Sequence, residues 1–259
     1  MSAPPSIVAF ERRVRGWTGR LASDHSHHRP TCERGHVLSI LDRHAIGQLL
    51  RTKDVDAWGV AANTPRLPLA PDHPIAISMI MRVDQLVVRG LRHGPTEDYY
   101  EEYLRLNVAL DDAAGTLVDV LRVHGHAAER VVATGGDEGN GNRPFPHKTA
   151  ATSAGLGWIG KTALFVSRQF GPAVRLATVF TDMDLPVGDA IVESRCGDCR
   201  ACVNACPAGC GRDVQWRAGM ARDDLFDAAA CRHQMTLFHV VDAQICGICI
   251  AACPYSRPH

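Results

Sequence analysis

Nine of the ten cysteines lie between Cys196 and Cys253, and their spacing defines a chemistry. In Cys196-x2-Cys199-x2-Cys202-x3-Cys206-Pro207, three thiols recur at two-residue intervals. One turn of chain can then ligate three irons of a cubane while the fourth thiol points away, toward a second cluster. Cys246-x2-Cys249-x3-Cys253-Pro254 repeats the pattern without its first cysteine. Two [4Fe-4S] clusters need eight thiolates, and the motifs supply seven; Cys32, Cys210 and Cys231 are the spare candidates. With the crossed wiring of two-cluster ferredoxins, Cys196, Cys199, Cys202 and Cys253 hold one cluster. Cys206, Cys246, Cys249 and the extra thiol hold the other. Cys231 is assigned to that place, because Cys210 lies four residues beyond Cys206 on what reads as the same turn, and Cys32 falls in another domain. Zinc is the competing reading, but tetrahedral zinc sites use separated CxxC pairs rather than a CxxCxxC run.

Ferredoxin-type clusters move single electrons and do no substrate chemistry on their own. The residues before them are therefore expected to hold a cofactor or a substrate. The candidate segment is AGLGWIGK, in which Gly155, Gly157 and Gly160 alternate with Leu156, Trp158 and Ile159. Such a backbone can approach a flat ligand closely while the apolar side chains pack beneath it. Lys161 is placed to meet a cofactor carboxamide or phosphate, and Trp158 reads as core, with a cofactor platform as its other role. A helix end followed by a strand start, in a packed core, is the structural alternative. A phosphate loop fits poorly, since the first glycine is one residue too close and the intervening residues are bulky.

The elements that must carry these motifs alternate. Val37–Arg51 has helical spacing of apolar residues, and Asp56–Ala62 and Pro74–Met81 read as strands. Thr96 opens a helix to about His124, divided or kinked at Gly115; Tyr99, Tyr100 and Tyr103 on it read as packing. Glu129–Thr134 reads as a strand, GGDEGNGN as a loop, His147–Ala154 as a helix, and Ala163–Ser167 and Ala173–Thr181 as strands. The prediction is α+β, with an arm over 1–35, an α/β cofactor-binding domain over 36–190 and a loop-rich ferredoxin-type module over 191–259. His25, His27 and His28, near Cys32, read as a solvated part of the arm rather than a metal site.

Composition is that of a soluble globular chain of 259 residues, 46% hydrophobic and 22% charged. Lys plus Arg equals Asp plus Glu at 28 each, so the total charge favours no polyanionic partner. No apolar run approaches the roughly 20 residues of a membrane helix. The opening residues read as no secretory signal, so the thiols are expected in a reducing, cytoplasmic compartment rather than in disulfides.

AGLGWIGK, followed by CGDCxxCxxxCP and CGICxxxCP, resembles the epoxyqueuosine reductases and, more broadly, the cobalamin-dependent iron–sulfur reductases that include reductive dehalogenases. The likeness covers about residues 36–259, strongly at 144–253, with DAWGVAA resembling the family's first strand. It implies a nitroreductase-like domain that binds cobalamin, a ferredoxin module that feeds it electrons, and a D-x3-C segment supplying the eighth ligand. Asp227-Ala-Ala-Ala-Cys231 matches that segment. It also implies a ferredoxin- or flavodoxin-like electron donor and an electrophilic carbon substrate, a small molecule or a modified nucleoside, with tRNA as the family's own. Two departures stand out. The family's proton-donating aspartate would fall near Gly141 and Asn142, where there is no acid; His147, Asp137 and Glu138 are the candidate replacements, with His147 expected to face the cofactor cavity. The family's C-terminal helical-repeat domain has no counterpart after Cys253, so a trimmed relative is expected. The competing classes are an electron-transfer protein without an organic cofactor and an iron–sulfur flavoprotein.

Overall fold

Ile75–Arg82 is buried from end to end except for its last residue, and that burial explains a run without clean alternation. In the computed structural model this run is strand β2, covered on both faces. The structure describes residues 41–63, 73–131, 145–240 and 243–256. β1 (Ala57–Ala62), β2, β3 (Ala128–Val131) and β6 (Val174–Thr181) form one sheet in the order β1-β2-β6-β3, every pair antiparallel. The alternation of helix and strand thus belongs to an α+β fold and not to a parallel α/β sheet. A separate antiparallel hairpin pairs β4 (Gly157–Ile159) with β5 (Phe165–Ser167).

Ile75, Ile77, Met79 and Met81 share a core with Leu106, Leu110, Leu117 and Leu121 of α3 (Glu97–Val123). On the other face, Ala76 packs with Ala150 of α4 (His147–Ser153), and Ile80 with Trp158 and Phe165 of the hairpin. The sheet is therefore sandwiched between a long helix and the segment that carries the glycine motif.

Local signals set most of the boundaries. The Thr96 hydroxyl accepts from the Tyr99 amide at 3.2 Å, and Glu97 and Asp98 lie where the helix dipole favours acids. α3 then runs unbroken past Gly115, where a kink or division was expected. Its buried stripe continues across that glycine through Ala113, Ala114 and Leu117, and the packing holds the helix together. Asp42 caps α1 (Arg43–Thr52), accepting from the Ala45 amide at 2.7 Å; residues 37–40 of the expected helix lie outside the described residues. β5 is shorter than expected because Ala163 has a φ of 57°, which turns the chain before the strand begins.

α2 (Gln85–Gly90), followed by a short 3-10 turn at Leu91–His93, was not expected. The cysteine-rich stretch is also more ordered than the expected loop, with α5 (Ala201–Ala205), α6 (Arg222–Leu225), α7 (Ala228–Thr236) and α8 (Ile248–Ala252). Residues 39–259 form a single compact unit that contains the expected boundary at 190/191. Among the described residues, no helix is long and apolar enough to cross a membrane.

Candidate iron–sulfur site

Each cysteine motif bends around a short helix. α5 carries Cys202 and ends at Cys206; α8 carries Cys249 and ends at Cys253. Both terminal cysteines adopt extended backbone (φ −72°, ψ 116° and φ −69°, ψ 126°), as expected for a residue pressed by the proline that follows it. α5 and α8 pack against each other, which brings the end of each motif to the thiols of the other.

The electrostatics record the resulting neighbours. Burial pushes the Cys253 thiol up to about 12, with Cys202, Cys196 and Cys199 adding to the rise. Burial likewise pushes Cys249 up to about 12, with Cys246, Cys202, Cys231 and Cys206 adding to it. Cys231 is raised by burial first, then by Cys246 and Cys206. Cys253 thus lies near Cys202, Cys196 and Cys199, and Cys231 near Cys246 and Cys206, while Cys249 feels Cys202 as well as Cys246, Cys231 and Cys206. Among the described residues no three Cys, His, Asp or Glu side chains converge at the spacing of a single metal ion; the grouping is looser than that. Thiols that oppose one another's ionisation are a donor set that calls for a positively charged centre, which deprotonates the thiols it binds. Thiolates are the donors that [4Fe-4S] clusters take.

Cys210, the competitor for the eighth position, is buried and hydrogen-bonded to Cys206, and it also borders Cys231. Cys231 is the fourth residue of α7, and the carboxylate of Asp227 caps that helix, accepting from the Ala230 amide at 2.9 Å. The aspartate of the D-x3-C segment thus positions its cysteine through a helix cap. Cys32 lies outside the described residues.

The glycine segment runs from the end of α4 into β4, the helix end and strand start of the structural alternative. Ala154 ends α4, and Gly155, at φ 75°, closes it with paired bonds from the Gly155 amide to Thr152 O and from the Leu156 amide to Ala151 O. A Cβ on Gly155 would stand 2.5 Å from Asp189 O, and one on Gly157 would stand 2.1 Å from Val166 O. One on Gly160 would meet Val166 Cγ2 at 3.1 Å and Cys196 Sγ at 3.7 Å. The free faces of all three glycines are filled by protein, so on that side the segment does not fit an organic cofactor. Lys161 is 4% exposed, and its ammonium is held by Asp213 at 2.7 Å. Trp158 is buried, and its indole N–H donates to Cys196 Sγ at 3.4 Å.

His147 begins α4, half-buried, with its Nδ1 2.9 Å from Thr178 Oγ1 on β6 and its ring edge-on to Phe145. Beside Thr178 in the sheet register stands Ser78, whose hydroxyl is buried without a partner among the described residues. Asp137 and Glu138 lie outside the described residues. Residues that the sequence reading missed are Thr162, beside Cys202, and Asp213 with Arg200, which complete the tie to Lys161. Only the adjacency of Arg200 to Cys199 signalled any of them.

Over part of its length the chain resembles the epoxyqueuosine reductases. It is 45% identical over 64 residues to the epoxyqueuosine reductase of Pseudomonas aeruginosa, a match covering 25% of this chain and 18% of that protein. Its fold matches a reductive dehalogenase whose structure suggests a mechanism for B12-dependent dehalogenation, with a TM-score of 0.69 and 19% identity, over 87% of this chain and 33% of the other. It also matches an epoxyqueuosine reductase crystallised with an epoxyqueuosine-modified tRNA-Tyr stem loop, with a TM-score of 0.55 and 18% identity, over 82% and 64%. The chain spans between about a sixth and about a third of the curated relatives it matches. No protein-family model matches the chain.

Proposed function

We propose that the protein is a cytoplasmic iron–sulfur oxidoreductase of the epoxyqueuosine reductase type. It takes electrons from a reduced ferredoxin- or flavodoxin-like donor and uses them to reduce an electrophilic carbon in a small molecule or a modified nucleoside, tRNA included. In this reading a nitroreductase-like domain over 36–190 is served by a ferredoxin-type module over 191–259. The observation that carries it is the packing of α5 on α8, which brings the two cysteine motifs together, with Cys253 influenced by Cys202, Cys196 and Cys199. When bound, the clusters supply one-electron transfer at staged potentials. The chain's own part is to hold the thiols in register and to deliver a proton. His147 is the candidate proton carrier, an imidazole being the side chain whose ordinary titration lies nearest neutrality; Asp137 and Glu138 stand as the alternatives.

Cobalamin is the organic cofactor that the resemblance implies, with flavin as the alternative. Since the glycine faces are filled by protein and Lys161 is committed to Asp213, no step is assigned to cobalamin here. That same packing favours a second reading, an electron-transfer protein without an organic cofactor.

Anaerobic reconstitution with iron and sulfide, followed by offering hydroxocobalamin and then FMN, tests both readings. About eight irons and eight labile sulfides per chain are expected; a stable zinc form without sulfide overturns the cluster assignment. Uptake of cobalamin supports the reductase, and uptake of neither cofactor supports the electron-transfer protein. Once a substrate is known, His147→Ala is expected to slow turnover by roughly 10²–10⁴-fold with the iron content unchanged, the typical worth of a general acid. Full activity in that variant would remove His147 from the reaction.

A further inference from the structure

The strongest feature not absorbed by the function above is the meeting of the glycine hairpin with one thiol set. A buried indole N–H needs an acceptor, and that of Trp158 finds Cys196 Sγ at 3.4 Å. The indole is fixed edge-on against Tyr255, with ring centroids 5.1 Å apart, and Tyr255 stands two residues beyond Cys253. Trp158 is thereby held between Cys196 and Tyr255. Four residues on, Thr162 is buried with its hydroxyl beside the Cys202 thiol. Between them, a Cβ on Gly160 would stand at an ordinary 3.7 Å from Cys196 Sγ and at a tight 3.1 Å from Val166 Cγ2. Lys161 points away to Asp213, which also takes Arg200 at 2.9 Å, directly after Cys199 in the chain. Trp158 and Gly160 therefore lie against Cys196, and Thr162 beside Cys202.

We propose that Trp158–Thr162 is the outer coordination shell of the cluster held by Cys196, Cys199, Cys202 and Cys253, and that Trp158 and Thr162 raise its reduction potential. The inference rests on the two-cluster reading above. A donor aimed at a ligating sulfur stabilises the more negative, reduced state of the cluster, so the potential rises with each such bond. Trp158 and Thr162 are positioning residues here, since they act through the sulfurs. The cluster beside the hairpin becomes the preferred resting place of the electron. It also lies on the side of the sheet that carries α4 and His147, so electrons collect where the proposed reduction occurs.

The test uses the full chain, reconstituted anaerobically, in EPR-monitored redox titration. Wild type is expected to give two midpoints, and a Cys246→Ser variant is expected to keep the one belonging to the Cys196 set. In Trp158→Phe and in Thr162→Val, that midpoint is expected to move to more negative potential while the other stays, with eight irons retained. Thr162→Ser, which restores the hydroxyl, is expected to return the midpoint toward wild type. Eight irons with both midpoints unchanged, or a shift confined to the midpoint that Cys246→Ser removes, overturns the proposal. If Trp158→Phe fails to load its clusters, Thr162→Val decides, because valine keeps the shape of threonine and removes only the donor. Wild type that binds no clusters overturns the two-cluster reading itself, an outcome distinct from loaded clusters with unmoved potentials.

Discussion

Two thiols contend for the last place on the second cluster, and their surroundings separate them. Cys210 is 1% exposed, pushed up to about 12 by burial and then by its hydrogen bond with Cys206. Cys231 is half-buried on α7, where its thiol is influenced by both Cys246 and Cys206. A ligand must face its co-ligands, and Cys231 is influenced by Cys246 as well as Cys206, whereas Cys210 borders Cys206 and Cys231, which favours Cys231. Cys231→Ser is expected to lose about half of the iron, while Cys210→Ser keeps it all; iron and sulfide assay of the reconstituted variants decides, and the reverse pattern would exchange their roles. The thiols were legible in the sequence because a cubane dictates ligand spacing within a single turn of chain. Trp158 and Thr162 were not legible as partners of those thiols. The residue that accepts from Trp158 lies 38 positions away, and the one that holds Lys161 lies 52 away. No local pattern records such a meeting.

At the scale of elements, the hairpin β4–β5 is the part whose geometry tolerates least. Gly157 stands opposite Ser167, and a methyl added there would lie within 2.1 Å of Val166 O and 2.7 Å of the Phe165 ring. Gly157→Ala is expected to destabilise the fold by about 1–3 kcal/mol, the usual cost of overpacking a filled site. Gly90→Ala is the control. It lies at the end of α2 with φ −68°, and its added methyl would meet only Thr96 at an ordinary 3.6 Å. That change is expected to be neutral or to stabilise by about 0.4–1 kcal/mol through the unfolded chain. The midpoints of thermal unfolding of the two variants should therefore part in opposite directions, and equal shifts would count against the packing account. Strands and helices with local signals, such as α3 behind its Thr96 cap, were legible in advance. β4 was hidden because its three residues sit among glycines and belong to a strand only through the partner across the hairpin.

For the whole molecule, one tie joins the hairpin to the cysteine-rich stretch. Lys161 is held by Asp213, and Asp213 in turn holds Arg200. Hydrogen bonding from Lys161 keeps the Asp213 carboxyl below the usual carboxylate range. A carboxyl depressed in the folded state contributes stability above its unfolded value, about 3.9, and loses it as pH falls through the folded one. Asp213→Asn is therefore expected to lower the melting midpoint at neutral pH, because it leaves a buried ammonium short of its counter-charge. The deficit should stay constant from pH 8 down to about 5 and shrink only toward pH 4 and below. A variant that melts like wild type at pH 7 would show the tie to be ornamental.

The sheet order β1-β2-β6-β3 has a consequence for how the protein is made. β2 is the most apolar strand, yet one of its two neighbours, β6, is synthesised about a hundred residues after it. Until Val174–Thr181 leaves the ribosome, the nascent chain carries an apolar strand with an open edge, the kind of surface that invites association with other chains. The cysteine motifs emerge later still, beyond residue 190. The open edge therefore persists until β6 is made, and both cysteine motifs become available to metal only after β6 has been synthesised.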